Sequence, residues 1–205
     1  MLHPFLTRSA LVALACGLLA SPCLAIDYNE AVSGDFSNVG LNPTSLGTLT
    51  LGSNQTLGTT GRGNAGLDRD YFTFNVPSGL RLVSLIELPG TISGGVSFIG
   101  LQAGSQVTLP TNTSSAAGLL GWTHYGPGDV NTDILPRMGI ASNGSSGFTT
   151  PLGAGNYSLW IQDFNTGQFS YGFRFGVQAA VPEPGSIALL VGVSAMGALM
   201  RRRRK

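Results

Sequence analysis

Residues 70–86 alternate between apolar side chains and others: Asp70-Tyr71-Phe72-Thr73-Phe74-Asn75-Val76-Pro77-Ser78-Gly79-Leu80-Arg81-Leu82-Val83-Ser84-Leu85-Ile86. A period of two is that of a strand with one buried face. The Pro-Ser-Gly segment in the middle consists of residues that favour turns. We therefore predict two strands joined by a short turn over this stretch.

The same pattern recurs along the chain and predicts an all-β fold. Further strands are expected at 46–51, 96–101, 119–125, 157–163 and 169–177. Turn residues separate them at intervals of roughly ten residues, which is typical of an antiparallel β-sandwich. Two stretches rich in Gly, Ser, Thr and Asn, 103–118 and 141–150, are predicted to be loops. Between residues 26 and 180, no window has a helical period beyond one or two turns.

Composition and charge exclude several classes of protein. The chain has 205 residues, of which 30 are Gly and 10% are charged, whereas average chains contain about 7% Gly and about 25% charged residues. This excludes a coiled coil and a charged disordered chain. Between residues 26 and 180, nine acidic and five basic side chains leave a net charge of −4. We therefore expect no nucleic-acid partner.

The N-terminal residues 1–25 are predicted to be a secretory signal helix. Their apolar run, 10–20, is too short to span a bilayer and precedes a small-residue site for cleavage after Ala25. The expected partners are the Sec translocon and signal peptidase, and an uncleaved N-terminal anchor is the alternative. Cys16 and Cys23 are the only cysteines, so the mature chain would have neither a disulfide framework nor a cysteine nucleophile.

The C-terminal residues 181–205 contain three consecutive parts. A Pro-Glu-Pro motif is followed by an uncharged segment, 186–200, and then by a basic end. The uncharged segment predicts a short transmembrane helix of roughly 22 Å, less than the ~30 Å hydrocarbon core. The basic end would stay in the cytoplasm. The residues involved are Pro182, Glu183 and Pro184 in the motif; Ile187, Leu189, Leu190, Val191, Val193 and Leu199 in the anchor; and Arg201, Arg202, Arg203, Arg204 and Lys205 at the basic end.

This order of parts resembles the PEP-CTERM sorting tail of Gram-negative bacteria. The resemblance implies that a membrane protease-transferase, exosortase, recognises the tail. It also implies transient anchoring in the inner membrane, followed by delivery to the cell surface or extracellular matrix, where exopolysaccharide is a further expected partner. The resemblance indicates where the protein is delivered and does not indicate a biochemical activity. From the residues alone, a permanent short membrane helix remains the alternative.

A second resemblance lies within residues 26–180, the predicted domain. The segment 66–79 resembles the central hairpin of bacterial pre-peptidase C-terminal domains, and 155–161 with 170–173 resembles their closing strand pair. These domains are jelly-roll-like β-sandwiches appended to secreted enzymes or surface proteins. The resemblance implies an accessory module.

Two carboxylates at the entry to a predicted strand are the candidate metal ligands. Asp68 and Asp70 alternate there, and oxygen ligands from a loop suit Ca²⁺, which takes six to eight of them. A third carboxylate, such as Asp35 or Asp163, would have to come from elsewhere in the chain. In the alternative, Asp68 caps the turn and Asp70 pairs with a neighbouring arginine at the surface.

Aromatic side chains are the candidate glycan contacts. Trp160, Trp122 and Tyr125 offer flat apolar faces close to polar groups. By alternation, Trp160 shares its face of the strand with Ser158 and Gln162, which predicts an exposed indole. The alternative is that Trp160 fills the core.

Other chemistries find little support. The segment 61–66 matches G-x-G-x-x-G but leads into a strand, whereas dinucleotide binding needs a following helix. His124 is the only histidine after the signal, no G-x-S-x-G occurs in the predicted domain, and zinc would need further His or Cys ligands. We therefore predict a non-catalytic surface or exopolysaccharide-matrix protein. The alternative is a glycan- or Ca²⁺-binding module, with Ca²⁺ as the one candidate cofactor.

Overall fold

The computed structural model describes residues 25–95 and 97–181, which form a mostly β structure. The predicted signal helix and transmembrane helix lie outside these residues. Among the described residues, no helix is long and apolar enough to cross a membrane. The elements are β1 (Asp27–Asn29), α1 (Glu30–Ser33), β2 (Thr44–Thr48), β3 (Gly52–Gly63), β4 (Gly66–Val76), β5 (Leu80–Glu87), β6 (Ser97–Ala103), β7 (Gly121–Tyr125), a 3-10 turn (Pro127–Asp129), α2 (Leu135–Met138), β8 (Gly155–Gln162) and β9 (Gly167–Ala179).

The strands form one curled, mainly antiparallel sheet in the order β5-β9-β3-β4-β8-β6-β7, with β1 added to β3 and β2 added to β4. A tight hairpin joins β3 to β4, where Gly63 pairs with Gly66. Beyond this hairpin β3 pairs with β9 while β4 pairs with β8, so the two halves of the sheet separate. The G-x-G-x-x-G segment is therefore a strand-to-strand turn.

The two halves pack face to face over an aromatic core. Phe74 of β4 contacts Phe175 of β9 edge-on, with ring centroids 5.2 Å apart. Tyr125 of β7 contacts Phe173 of β9 in the same way at 5.0 Å. Each such side chain contributes about 1.5–3 kcal/mol when it is fully buried. The predicted β-sandwich is thus confirmed, and the alternation over 70–76 does set the buried face.

Two strand pairings expected from the pre-peptidase resemblance are wrong. β4 and β5 follow one another across the Pro77–Gly79 turn, yet β4 pairs with β8 and β5 pairs with β9. β8 and β9 likewise belong to opposite halves of the sheet. Gly79, with φ at 79°, turns the chain across the core instead of back along β4. Alternation cannot distinguish these outcomes, because both strands face the same core in either case.

β3 is a long strand of 12 residues that the sequence pattern did not reveal. Its inward-facing residues are small or polar, and Asn54, Thr56, Gly58 and Thr60 are all buried. Without apolar residues at alternate positions, the segment gives no strand signal. The two predicted loops, 103–118 and 141–150, are largely irregular, as expected.

The described chain enters and leaves the sandwich at the same end. β1 runs parallel to β3, with Asp27 opposite Gln55. At the other edge of β3, Val177 of β9 lies opposite Gly52. The β3–β4 hairpin lies at the opposite end of these strands.

Candidate functional site

Four carboxylates from two distant segments meet beside β3, and we call them the acidic cluster. Glu30 lies in α1, Asp35 follows that helix, and Asp68 and Asp70 lie in β4. One oxygen of each lies within 4.8 Å of an oxygen of every other. The cluster borders two cavities of about 470 and 320 Å³, and Asp35 lines both.

Aromatic packing brings the N-terminal segment to the cluster. Phe36 is 2% exposed, and its ring lies 4.5 Å from that of Tyr28 and 4.8 Å from that of Phe72 in β4. Asn29 caps α1 by accepting a hydrogen bond from the Ala31 main-chain nitrogen at 3.0 Å. These contacts hold Glu30 and Asp35, which precede Phe36 in the chain, next to Asp68 and Asp70 of β4.

The hydrogen bonds of the cluster leave one buried oxygen unpartnered. Glu30 Oε2 accepts from the Thr59 main-chain nitrogen at 2.6 Å, and Asp70 Oδ2 accepts from the Tyr171 hydroxyl at 2.6 Å. The Asp70 side chain is 0% exposed, and its Oδ1 has no hydrogen-bond partner among the described residues. A buried carboxylate oxygen without a hydrogen-bond partner destabilises the fold unless a cation or a proton binds to it.

No basic side chain of residues 25–95 or 97–181 compensates this charge. The ion pair found in those ranges joins Arg137 to Asp129 at 2.7 Å. Arg69, next in sequence to Asp70, donates its Nε to Gln162 Oε1 at 3.1 Å instead. The alternative in which Asp70 pairs with an arginine at the surface is therefore wrong.

Burial and mutual repulsion disfavour the ionised forms of these acids. Burial, reinforced by the neighbouring carboxylates, raises the pKa of Asp70 to about 9, although the Tyr171 hydroxyl opposes the shift. Burial and a hydrogen bond with Asp35 raise the pKa of Glu30 to about 7. Burial also raises the pKa of Asp68. A cation held among these oxygens would favour the charged forms instead.

Gly58 of β3 provides the space in which the cluster forms. A Cβ at this position would collide with the Tyr171 hydroxyl and would lie 2.9 Å from Glu30 Oε2. We expect Gly58→Ala to displace one of these side chains, to cost about 1–3 kcal/mol of unfolding free energy and to weaken any cation binding. Thermal unfolding with and without Ca²⁺ measures both effects.

Gly63→Ala is the matched control, because a Cβ there meets nothing within 4 Å. A Gly58→Ala protein that unfolds and responds to Ca²⁺ like the Gly63→Ala protein would contradict the steric assignment.

The predicted metal ligands are partly brought together. Asp35 joins Asp68 and Asp70, but Asp163 does not. Asp163 is 0% exposed and instead accepts hydrogen bonds from the Gly94 and Asn165 main-chain nitrogens and from the Ser97 hydroxyl at 2.8–3.0 Å. Sequence reasoning missed Glu30, whose only signal is an acid near the start of the domain.

The predicted glycan contacts lie in three different settings. Trp160 is 4% exposed, so the prediction of an exposed indole is wrong. Val107, in the loop after β6, covers its face of the sheet and packs with Trp160 and Tyr71. Tyr125 is 4% exposed inside the core, where no glycan reaches it. Trp122 is half-buried and lies on the outer face of β7.

Comparisons with known proteins identify the C-terminal segment. No curated protein matches the chain in sequence. Among solved structures, the pre-peptidase C-terminal domain of a collagenase from Bacillus anthracis matches with 17% identity and a TM-score of 0.34, over 69% of this chain and 100% of that domain. That likeness is too remote to carry a function from one chain to the other. The PEP-CTERM protein-sorting motif matches residues 180–205, so the chain carries an exosortase-type sorting signal, which implies export and membrane-associated sorting, as predicted from the tail.

Proposed function

We propose that this protein is a non-catalytic component of the cell surface or extracellular matrix whose β-sandwich binds Ca²⁺ in the acidic cluster. The observation that carries the proposal is the unpartnered, fully buried Oδ1 of Asp70 among three other carboxylates. In this proposal, residues 1–25 are removed after export, 26–180 form the working domain and 181–205 are the sorting tail, which anchors the body in the inner membrane transiently.

The type and spacing of the ligand atoms in the cluster fit Ca²⁺. Two oxygens bound to one Ca²⁺ at about 2.3–2.6 Å are at most about 5 Å apart, whereas Mg²⁺ at about 2.0–2.1 Å draws them to about 4 Å or less. The oxygens of the cluster all lie within 4.8 Å of one another, a separation that one Ca²⁺ can span. Zinc prefers nitrogen and sulfur ligands, and the cluster contains neither His nor Cys. Four carboxylates, with water from the adjoining cavities, supply the six to eight oxygens that Ca²⁺ needs.

The surroundings of His124 do not resemble those of the base in a serine-type hydrolase. Its Nδ1 lies 3.3 Å from the Ser97 carbonyl oxygen, and its ring contacts Trp122 and Phe98 edge-on. In the described part of the chain, no hydroxyl is hydrogen-bonded to this imidazole. The hydroxyl–histidine pair of a serine-type hydrolase is therefore not assembled at His124.

Calcium titration tests the proposal. The full-length chain, purified in detergent, is expected to melt at a higher temperature when Ca²⁺ is added and to release heat on binding. At a Ca²⁺ concentration 100 times Kd, the stabilisation would be about 2.7 kcal/mol. Asp35→Asn and Asp68→Asn each remove one ligand oxygen's charge from the cluster and should weaken binding strongly.

Asp27→Asn is the matched control for these variants. Asp27 is an exposed carboxylate close in sequence to Glu30, and it accepts a hydrogen bond from Gln55 that an asparagine oxygen can also accept. Its loss should leave Ca²⁺ binding intact. If millimolar Ca²⁺ changes neither the melting temperature nor the heat of the wild-type protein, the Ca²⁺ proposal fails.

A further inference from the structure

We propose that a second site, on the outer face of β6, β7 and β8, binds a neutral sugar ring of a polysaccharide. The site is a groove of about 230 Å³ between these strands and the loop 109–116. We call it the aromatic groove, and it does not include any residue of the acidic cluster. Aromatic rings form its floor, and side chains with hydroxyl groups form the opposite wall.

Three rings on adjacent strands form the floor of the aromatic groove. Phe98 of β6 stacks on Trp122 of β7 with centroids 5.9 Å apart, and His124 meets Trp122 edge-on at 5.3 Å. The Trp122 indole nitrogen donates to the Ser142 carbonyl at 3.2 Å, which fixes the orientation of the ring. Such a rigid apolar surface fits the C–H face of a pyranose, which is itself flat and apolar.

A buried amide offers the groove an unused hydrogen-bond donor. Gln162 is 5% exposed, and its Oε1 accepts from both Trp160 Nε1 and Arg69 Nε at 3.1 Å. Because both neighbours are donors, the side-chain oxygen must face them. The Nε2 group makes no hydrogen bond to a described residue, and it can therefore donate to a ligand hydroxyl in the groove.

The wall opposite the rings is rich in hydroxyl groups. It contains Thr111, Thr113, Ser114 and Ser115, and Asn143 holds it in place by donating to the Ser114 carbonyl at 2.5 Å. The lining includes no Asp, Glu, Lys or Arg. A groove with a ring floor, a hydroxyl wall and no charge matches a neutral ligand that is apolar on its faces and hydroxylated at its rim. An apolar peptide would leave the wall hydroxyls and the Gln162 donor unpaired.

Intrinsic fluorescence reports on this groove selectively. The chain has two tryptophans, Trp122 and Trp160, and both line the groove. The test titrates the full-length chain, in a detergent without a sugar headgroup, with cellohexaose, maltohexaose and mannohexaose, and with an alginate hexamer as the acidic comparison. At least one neutral hexasaccharide is expected to change the tryptophan emission saturably, and the alginate hexamer is expected to bind at least about tenfold more weakly.

Two variants separate a sugar site from a structural effect. Thr111→Arg places a long charged side chain in the groove from an exposed loop position, so it should weaken sugar binding about tenfold or more without altering the melting temperature. Ile140→Ala is the matched control, because Ile140 is 65% exposed and lies outside the groove. It should bind sugar like the wild type.

The outcomes are distinct from those of the Ca²⁺ test. Sugar binding should be unchanged in the Asp35→Asn variant and after Ca²⁺ is chelated. The inference is overturned if no neutral hexasaccharide alters the emission at about 10 mM. It is also overturned if Thr111→Arg binds like the wild type, if the alginate hexamer binds as tightly as the neutral sugars, or if chelation abolishes binding.

Discussion

Asp70→Asn is expected to stabilise the Ca²⁺-free protein and to abolish its response to Ca²⁺. The wild-type carboxyl is buried without compensation, and burial raises its pKa to about 9. Asparagine resembles the protonated acid and keeps an oxygen for the Tyr171 hydroxyl. At pH 8 and without Ca²⁺, the variant should be more stable by an amount on the order of 3 kcal/mol.

The pH dependence of this effect has a definite sign. Below pH 3.8, the ordinary value of an aspartic acid, both the folded and the unfolded chain hold the proton and Asp70 carries no penalty. As the pH rises from there towards about 9, the unfolded chain releases its proton while the folded chain retains it, so wild-type stability falls. The Asp70→Asn protein does not lose stability in this way. The difference in unfolding free energy between the two proteins should therefore widen as the pH rises.

Urea unfolding at pH 5 and pH 8, each with chelator and with Ca²⁺, measures the effect. Asp27→Asn, an exposed carboxylate outside the cluster, should neither stabilise the protein nor change its response to Ca²⁺. A Ca²⁺-free Asp70→Asn protein that is less stable than the wild type at pH 8 would contradict the assignment, because it would mean that the Asp70 charge is compensated in the native state.

Phe36→Ala is expected to detach the N-terminal segment and with it half of the acidic cluster. Phe36 is 2% exposed and packs between Tyr28 and Phe72. Removing a buried phenylalanine ring costs about 3–5 kcal/mol. Because Glu30 and Asp35 lie in the segment that ends at this ring, we expect the variant to lose Ca²⁺ binding as well as stability.

Urea unfolding and hydrogen exchange over residues 26–36 distinguish local from global effects. Local detachment would increase exchange in this segment while the exchange of β8 and β9 stays slow. Phe36→Leu retains an apolar side chain and should recover most of the stability. Tyr28→Phe keeps the ring but removes the hydroxyl that donates to Gly34, and it should have a small effect. Unchanged exchange and Ca²⁺ binding in Phe36→Ala would contradict this role.

The strands that could be predicted are those whose inward face is apolar. Phe72, Phe74 and Val76 of β4 are each 2% exposed or less, and their spacing alone indicates the buried face. β3 fills the equivalent inward-facing positions with residues such as Asn54 and Thr56, which are buried although they are polar. The pairing of the strands could not be predicted from the local sequence pattern. β4 and β5 show the same alternation whether they pair with each other or lie in opposite halves of the sheet.

The residues of the acidic cluster likewise differ in how far their positions could be predicted from the sequence. Asp68 and Asp70 are two residues apart, so their proximity follows from strand geometry. Glu30 reaches them through the parallel pairing of β1 with β3 and the packing of Phe36 on Phe72, both contacts between segments more than twenty residues apart. Trp160 shows a second limit of prediction from sequence. Alternation gives the face of a strand on which a side chain lies, but it does not show whether a loop covers that face.

Because the described chain begins and ends at one end of the sandwich, the sorting motif begins at the end opposite the β3–β4 hairpin. The sorting motif starts at residue 180, directly after β9. A strand of 13 residues extends roughly 40 Å, so a body held by this tail would carry its β3–β4 hairpin at the distal end. Asp68 lies opposite Gly61 near that hairpin, and Gln162 pairs with Arg69 beside it. Both proposed sites therefore lie toward the hairpin, away from the end of the sandwich at which the sorting motif begins.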